Sequence, residues 1–452
     1  MKDAFSRAED LDVLTSAPFP DKSFVIVIVG GSILKRRLFE HNIERSRLTN
    51  VSIVHLVPPA LTRRSADSFS SFSNIGDEII ELSTRFRIIA LIPLIDSVVG
   101  YCDAISAKLG LRGNNPDTSL LRVDKEKMQQ ACVSAGLDHA KSMRVSSVNE
   151  AISVWKDHFG SGEVVLKPPR SGGCDGIAIC STIVEISHHV EQQLNAINLE
   201  KLRNTEIVIQ ELIRMTYEYV INTVTVDGIH FVCDVWRSAP KRNGNLFLYD
   251  TQELIIDLES VKEVIEYTKC VLTAVGVRHG ACHTEVGVVM NKNSNNTVQS
   301  IYLIEVNCRL AGEIRTSYTL PGWNGEDQIF WLLISLIDPK KILTSGIPPS
   351  KPSPENTVSV IFLRNLKYQS CCISETGLET IKKLPSFFRF GRSLVWANET
   401  SKPKNVIRLG RTVDLISSPG VVMLVGPSAR QDAYTVREIE DSLLYDPKMH
   451  AL

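Results

Sequence analysis

Two apolar, β-rich runs, His283–Met290 and Ile301–Asn307, flank a polar Asn/Ser-rich turn, and this hairpin constrains the chain more than any other feature. Side chains on a strand alternate faces. Glu285 therefore shares a face with His283, and Glu305, Asn307 and Arg309 share one face of the second run. Pairing the runs brings Glu285 beside Glu305 and Asn307. Two carboxylates and an amide oxygen converging on one face call for a cation, because like charges directly opposite each other are destabilising. Oxygen-only donors suit Mg²⁺ or Mn²⁺ rather than zinc. The spacing is equally compatible with a solvated sheet face on which Arg309 pairs the acids.

The second informative stretch is Val164-Val165-Leu166-Lys167, followed by Pro168-Pro169-Arg170 and Ser171-Gly172-Gly173-Cys174-Asp175-Gly176. An apolar strand delivers a lysine at its end, and a glycine-rich turn comes next. Backbone amides in such a turn can wrap phosphate oxygens while the lysine supplies a point charge. No Gly-Lys-Ser/Thr follows the glycines, so this is not a Walker A loop. A flexible hairpin with an incidental lysine is the bland alternative. Lys125 and Lys127 lie in the first turns of a helix expected over about 124–135, where lysines are usually solvated. Gln210-Glu211-Leu212 ends another apolar strand, and Glu218 follows; a backbone edge there suits adenine and a carboxylate suits ribose hydroxyls. His279, Cys282 and His283 look zinc-like, but Gly280 breaks helical presentation and alternation turns Cys282 away from His283.

The surrounding pattern is α/β. Phe24–Val29, Val51–Val57 and Ile88–Ile92 are strand-like runs separated by crossovers, which implies a parallel βαβ sheet. Asn114-Asn115-Pro116 reads as a domain boundary. Tyr219–Val226 and Ile229–Trp236 flank an Asp-Gly hairpin turn. A helical stripe runs through Val261, Val264, Ile265, Thr268, Val271, Leu272 and Val275. Gly346–Pro354 reads as a linker, followed by strands at Val358–Leu363 and Val421–Val425 and a helix with Val436, Ile439 and Leu443 on one face. The expected units are 1–116, 117–338 (a lid part at about 117–210 and a metal-bearing part at about 211–338) and 339–452.

Composition narrows the partners. Fifty basic against 51 acidic side chains leave a net charge of −1, so nucleic acid and anionic membranes are not expected as main partners. The longest uncharged, proline-free apolar stretch is Phe24–Leu34, too short for a membrane helix. Met1–Ser23 contains no apolar core suited to a signal peptide. The ten cysteines form no CxxC; Cys102, Cys132 and Cys270 sit in apolar runs and are expected to be buried thiols of a reducing, cytoplasmic compartment.

Taken in order, LLRVDKEKM at 120–128, VVLKPPRSGGCDGI at 164–177, VIQELI at 208–213, EYVINTVTVDG at 218–228, HTEVGV at 283–288 and IEVNCRLAGE at 304–313 resemble the ATP-grasp carboxylate–amine ligases, most closely the L-amino-acid (dipeptide) ligase branch. The resemblance spans about residues 20–450. It implies an N-terminal α/β domain, a two-part ATP-grasp module whose antiparallel sheets hold ATP between them, and a C-terminal α+β subdomain. By the family pattern Lys125 and Lys167 contact phosphates, and Ser171, Gly172, Gly173, Cys174 and Gly176 form a loop that closes over them. Gln210, Glu211 and Leu212 face adenine and Glu218 the ribose. Glu285, Glu305 and Asn307 would hold two Mg²⁺ ions, with Mn²⁺ an alternative. Arg309, Lys167 and Gly173 would be the catalytic set, and His283, Arg309, Glu313 and Arg315 would border the substrate. Cys174 departs from the serine common in relatives and lacks its hydroxyl.

The implied reaction activates an amino-acid carboxylate as an acyl phosphate, which the amine of a second amino acid attacks, releasing ADP and phosphate. Small-molecule substrates and secondary-metabolite biosynthesis follow from the same resemblance, and a homodimer is compatible with it. Two rivals share the motifs: an ATP-grasp carboxylating enzyme of the biotin-carboxylase or purine-pathway kind, and a nucleotide-binding protein without catalysis.

Overall fold

The computed structural model describes residues 14–15, 24–31, 33–46, 48, 50–57, 73–239, 241–291, 297–312, 326–347, 357–391, 409–413 and 417–447. In the first part, β1 (Leu14–Thr15), β2 (Phe24–Val29), β3 (Val51–Leu56) and β4 (Arg87–Pro93) form a sheet in the order β1-β3-β2-β4. β2, β3 and β4 are parallel and β1 runs antiparallel to β3. Val25 to Val29 are buried throughout, which explains a run without alternation: helices cover both faces of a parallel sheet. β4 ends in a short 3-10 turn, Asp96–Val98. Asp96 and Ser97 thus stand at the carboxyl end of a parallel strand, where open α/β sheets place their ligands.

Arg122, which has no exposed surface, ties this domain to the rest. It pairs with Asp103 at 2.8 Å and donates to the carbonyls of Asn115 and Val275. Arg122→Leu strands the buried Asp103 carboxylate, so a loss of about 3–5 kcal/mol is expected in denaturant unfolding; a loss below about 1 kcal/mol would contradict that role.

The second sheet has the order β5-β8-β6-β7, built from β5 (Ser142–Val145), β6 (Val164–Lys167), β7 (Ala178–Cys180) and β8 (Ile207–Glu211), with every pairing antiparallel. Val164, Leu166, Ile207 and Ile209 pack with Trp155, Ile186 and Val190 of the two helices Val148–Phe159 and Ile183–Gln193. Alternation then turns Val165, Lys167 and Gln210 to the opposite, cleft-lining face.

The third sheet has eight strands in the order β15-β14-β9-β10-β13-β16-β19-β18. β9 (Tyr217–Val226) and β10 (Ile229–Ser238) join through Asp227 and Gly228, both with positive φ (53° and 84°), the conformation a tight hairpin turn requires. A small hairpin of β11 (Lys241–Asn243) and β12 (Leu246–Leu248) follows, and then β13 (Thr251–Leu254), β14 (Gly280–Met290) and β15 (Val298–Asn307). The helices Lys262–Ala274 and Lys125–Ser134 pack with one face of this sheet. The helix Gln328–Ile337 joins its other face to the N-terminal sheet.

Beyond residue 338 the chain adds β16 (Thr357–Phe362), β17 (Cys372–Ile373), β18 (Phe387–Phe390), β19 (Val421–Gly426) and β20 (Tyr445–Asp446). β16, β18 and β19 extend the eight-stranded sheet, and β17 pairs with β20. Most of the 346–354 segment lies outside the described residues.

Two expectations are corrected. Cys270 is exposed, because it lies on the solvent side of the helix Lys262–Ala274. Leu443 is 46% exposed and Leu444 fully buried: the helix Ala429–Ile439 runs into a π-helical turn, Glu440–Leu444, which moves the buried face on by one residue.

Candidate active site

A cleft of about 1160 Å³ lies between the four-stranded and eight-stranded sheets. β6 contributes Lys167, β8 contributes Gln210 and Glu211, and the next residue, Leu212, continues the wall. From the opposite sheet come Glu218, Glu285 and Glu305. Ser171, Gly172, Gly173 and Cys174 border the cleft; Gly176 does not line it and serves the loop's shape instead. Its φ is +68°, and a Cβ there would lie 2.8 Å from the Pro168 ring. Cys174 has a positive φ of 64°. The loop is tied by Ser171 Oγ donating to the Asp175 carbonyl at 2.8 Å and by Lys125 Nζ donating to the Ser171 carbonyl.

Register sets the acids. Glu285 pairs directly with Glu305, and His283 with Asn307. The pairing shifts by one residue just after Glu285, an irregularity of the kind that re-aims side chains beside active sites. Asn307 Nδ2 donates to Glu305 Oε1 at 2.9 Å, and Lys125 Nζ lies 2.9 Å from Glu305 Oε2. Lys125 is delivered there because Asp124 caps its helix, accepting from the amides of Glu126 and Lys127 at 3.1 Å each.

Electrostatics divide these groups. Burial works against the Glu305 anion, yet Lys125, Asn307 and Arg309 hold its carboxyl down to about 2. Burial pushes the Glu218 carboxyl up to about 8, and the charges of Glu285 and Glu305 add to that. Lys167 is held down to about 7 by burial and by Lys125. Burial also disfavours the Lys125 cation, but Glu305 outweighs it and raises its pKa. Among the described residues no three His, Cys, Asp or Glu side chains group closely enough to hold a metal alone. A donor set of two carboxylates and one amide fits Mg²⁺, which takes few protein ligands and completes its shell from phosphate oxygens and water.

His283 does not line the cleft. Its Nδ1 meets Asn222 Oδ1 at 2.8 Å and its Nε2 lies 3.3 Å from Glu285 Oε1. Asn222 donates to Asp234 at 2.6 Å, and the Trp236 indole also donates to Asp234. This buried chain orients Glu285 from behind. Arg309 pairs with Asp96 at 2.7 Å and reaches Asn307 Oδ1 at 3.3 Å. Glu313 and Arg315 lie outside the described residues. Sequence reasoning missed Asp96, Glu200 and Asn222. Asp96 reads in sequence as an ordinary helix-starting acid, and Glu200 as one charge in a polar loop.

No family model matches the chain. Dapdiamide A synthase of Enterobacter agglomerans is 24% identical over 358 residues, 79% of this chain and 79% of that protein. Alanine–anticapsin ligase of Bacillus subtilis is 23% identical over 254 residues, 53% of this chain and 52% of the relative. The crystal structure of an L-amino acid ligase from Bacillus licheniformis superposes with a TM-score of 0.66 at 15% identity, covering 93% of this chain and 98% of that one. Carboxyaminoimidazole ribonucleotide synthase from Aspergillus clavatus, crystallised with ATP, gives a TM-score of 0.60 at 11% identity, with 93% and 98% covered. Two facing antiparallel sheets with a charged cleft between them are thus the fold this chain shares with the L-amino acid ligase and the carboxyaminoimidazole ribonucleotide synthase, and its sequence is similar to dapdiamide A synthase and alanine–anticapsin ligase.

Proposed function

We propose that the protein joins the carboxylate of one amino acid to the amine of another, with conversion of ATP to ADP and phosphate. The observation that carries this reading is the interleaving of Glu218, Glu285 and Glu305 with Lys125 and Lys167 in one cleft, while Asn307 and Arg309 stand outside its lining, Asn307 donating to Glu305 and Arg309 to Asn307. In this reading the end of β8, Gln210 to Leu212, faces adenine, Lys125 and Lys167 take phosphate oxygens, and residues 171–176 cover them. Glu285, Glu305 and Asn307 hold Mg²⁺, which when bound neutralises the phosphates and the charge developing in transfer. Glu218 contacts the ribose.

A substrate carboxylate oxygen bonds to the γ-phosphorus as the bond to ADP breaks. Arg309 and Lys125 offset the repulsion between the two anions. The second substrate's amine nitrogen then bonds to the acyl carbon, phosphate leaves and the nitrogen loses a proton. Loop closure keeps water from the acyl phosphate. We assign 117–210 as the lid part and 211–338 as the metal-bearing part. Ten free cysteines agree with a cytoplasmic setting, and among the described residues no helix is long and apolar enough to cross a membrane. A homodimer is compatible with this scheme.

The direct test is ADP release over pairs of amino acids, with mass spectrometry of the products; ADP formation that depends on bicarbonate instead would favour the carboxylating reading, whose representatives share the fold. Lys167 gives a second check. A phosphate partner raises the pKa of a lysine held near 7, so metal-free ATP should bind at pH 8 with uptake of up to about one proton. Calorimetry in buffers of different ionisation heat measures this. Lys167→Met should lose that uptake and bind ATP about tenfold more weakly; identical proton uptake in both proteins would remove Lys167 from the phosphate site.

A further inference from the structure

The oxygens proposed for the metal already meet partners from the chain itself. Glu305 Oε2 lies 2.9 Å from Lys125 Nζ, and Glu305 Oε1 accepts from Asn307 Nδ2 at 2.9 Å. Asn307 Oδ1 accepts from Arg309 Nη2 at 3.3 Å, and Glu285 Oε1 lies 3.3 Å from His283 Nε2. Lys125 is the partner that sets a lysine ammonium directly on one of the two carboxylates, in the position of a metal's charge.

The backbone of Lys125 is fixed, so a change of partner falls to its side chain. Its amide donates to the Pro169 carbonyl at 2.9 Å, and Asp124 caps the helix that Lys125 begins. The side chain is 7% exposed, and its ammonium also donates to the Ser171 carbonyl of the covering loop. Burial works against this cation, and the charges of Glu305, Asp96 and Glu285 more than offset it. An ammonium has three donors. Glu305 and Ser171 use two, and the third remains for a phosphate oxygen in the cleft that Lys125 lines.

We propose that the Lys125 ammonium holds the place of the divalent cation on Glu305 and gives it up when a nucleotide supplies phosphate oxygens. Two cations cannot share Glu305 Oε2 at contact distance, because like charges repel strongly in a buried site. Lys125 therefore has to leave Glu305 before a metal can take that oxygen. The phosphates that receive Lys125 are also the groups that complete a Mg²⁺ shell. Metal binding thus becomes conditional on nucleotide, a coupling that operates in both directions. The same ammonium holds the Ser171 carbonyl, so the metal site and the covering loop respond together.

The inference rests on the nucleotide reading of the main cleft, and its test separates the two. Mn²⁺ binding to the full chain without nucleotide is followed by loss of the free ion's electron paramagnetic resonance signal. The wild type should bind Mn²⁺ weakly. Lys125→Met removes the competing cation and leaves Glu305 and Glu285 side by side, so it should bind Mn²⁺ at least about tenfold more tightly, within the usual range of a coupling between sites. Lys125→Gln loses the same charge but keeps a donor for Ser171, and it should gain in the same way. Lys125→Arg keeps a cation and should bind no more tightly than the wild type. The unfolding midpoint of the two neutral variants should rise with Mn²⁺ concentration more than that of the wild type, which ties the binding to the folded protein. Mn²⁺ affinities of the wild type and both neutral variants that agree within about twofold would overturn the exchange while leaving the nucleotide reading intact. A gain in Lys125→Arg equal to that in Lys125→Met would also overturn it, because the charge would then not matter. Metal-free ATP is titrated in parallel by calorimetry. A wild type that binds no ATP, with or without Mg²⁺, would overturn the nucleotide reading, and the exchange with it.

Discussion

Glu305→Gln is expected to lower ATP-dependent turnover by about a thousandfold, equivalent to about 4 kcal/mol, with the protein still folded. Glu305 meets Lys125 at 2.9 Å, accepts from Asn307 at 2.9 Å and pairs directly with Glu285 across the hairpin. The amide keeps the shape and removes the charge that pairs with Lys125 and that the proposed Mg²⁺ site requires. Its cost in stability follows from the ion pair. Because the Glu305 carboxyl is held down from 4.5 to about 2, its contribution is complete above pH 4.5 and disappears as the pH falls through about 2. Wild type and variant should therefore differ in stability at neutral pH and converge in strong acid. Near-normal turnover of the variant at saturating Mg²⁺ would remove Glu305 from the metal site.

Arg309→Met should lower kcat by about a hundredfold to a thousandfold, with ATP affinity by calorimetry little changed. The guanidinium is largely buried and positioned by Asp96, the Leu310 carbonyl and Asn307 Oδ1. Its fork geometry allows one arm to hold Asp96 while another faces the reacting anions, which an ammonium cannot reproduce; Arg309→Lys should accordingly recover only a small part of the rate. Loss of the cation also leaves the Asp96 carboxylate buried without compensation, at a cost of about 3 kcal/mol or more in unfolding experiments. A variant with full kcat would place Arg309 in a purely structural ion pair.

Much of this site was legible because strand alternation is a strict rule. The period of two put Glu285, Glu305, Asn307 and Arg309 on common faces before any fold was known, and the β14–β15 register brings the first three together. Lys167 was legible for the same reason, as the last residue of an apolar strand whose Val164 and Leu166 belong to the core. Three kinds of feature were not. The helix Gln328–Ile337 is apolar nearly all round because it is wedged between two sheets, so no periodic stripe announces it. The strands after residue 356 looked like a separate subdomain, yet they continue the large sheet, a long-range pairing with no local signature. Asp96 and Glu200 lie 104 positions apart and carry no shared motif; only the fold joins them at Arg309 and Ser97.

The central claim is that a carboxylate is activated by transfer of the γ-phosphoryl group, and oxygen labelling tests it most directly. The activated amino acid, once identified by the pair screen, is supplied with ¹⁸O in its carboxylate, and the phosphate and nucleotide products are weighed by mass spectrometry. Attack of the carboxylate oxygen on the γ-phosphorus predicts one ¹⁸O atom in each phosphate released, with ADP as the nucleotide product and a product amide that retains one label. Unlabelled phosphate, or label recovered in AMP, would contradict the account.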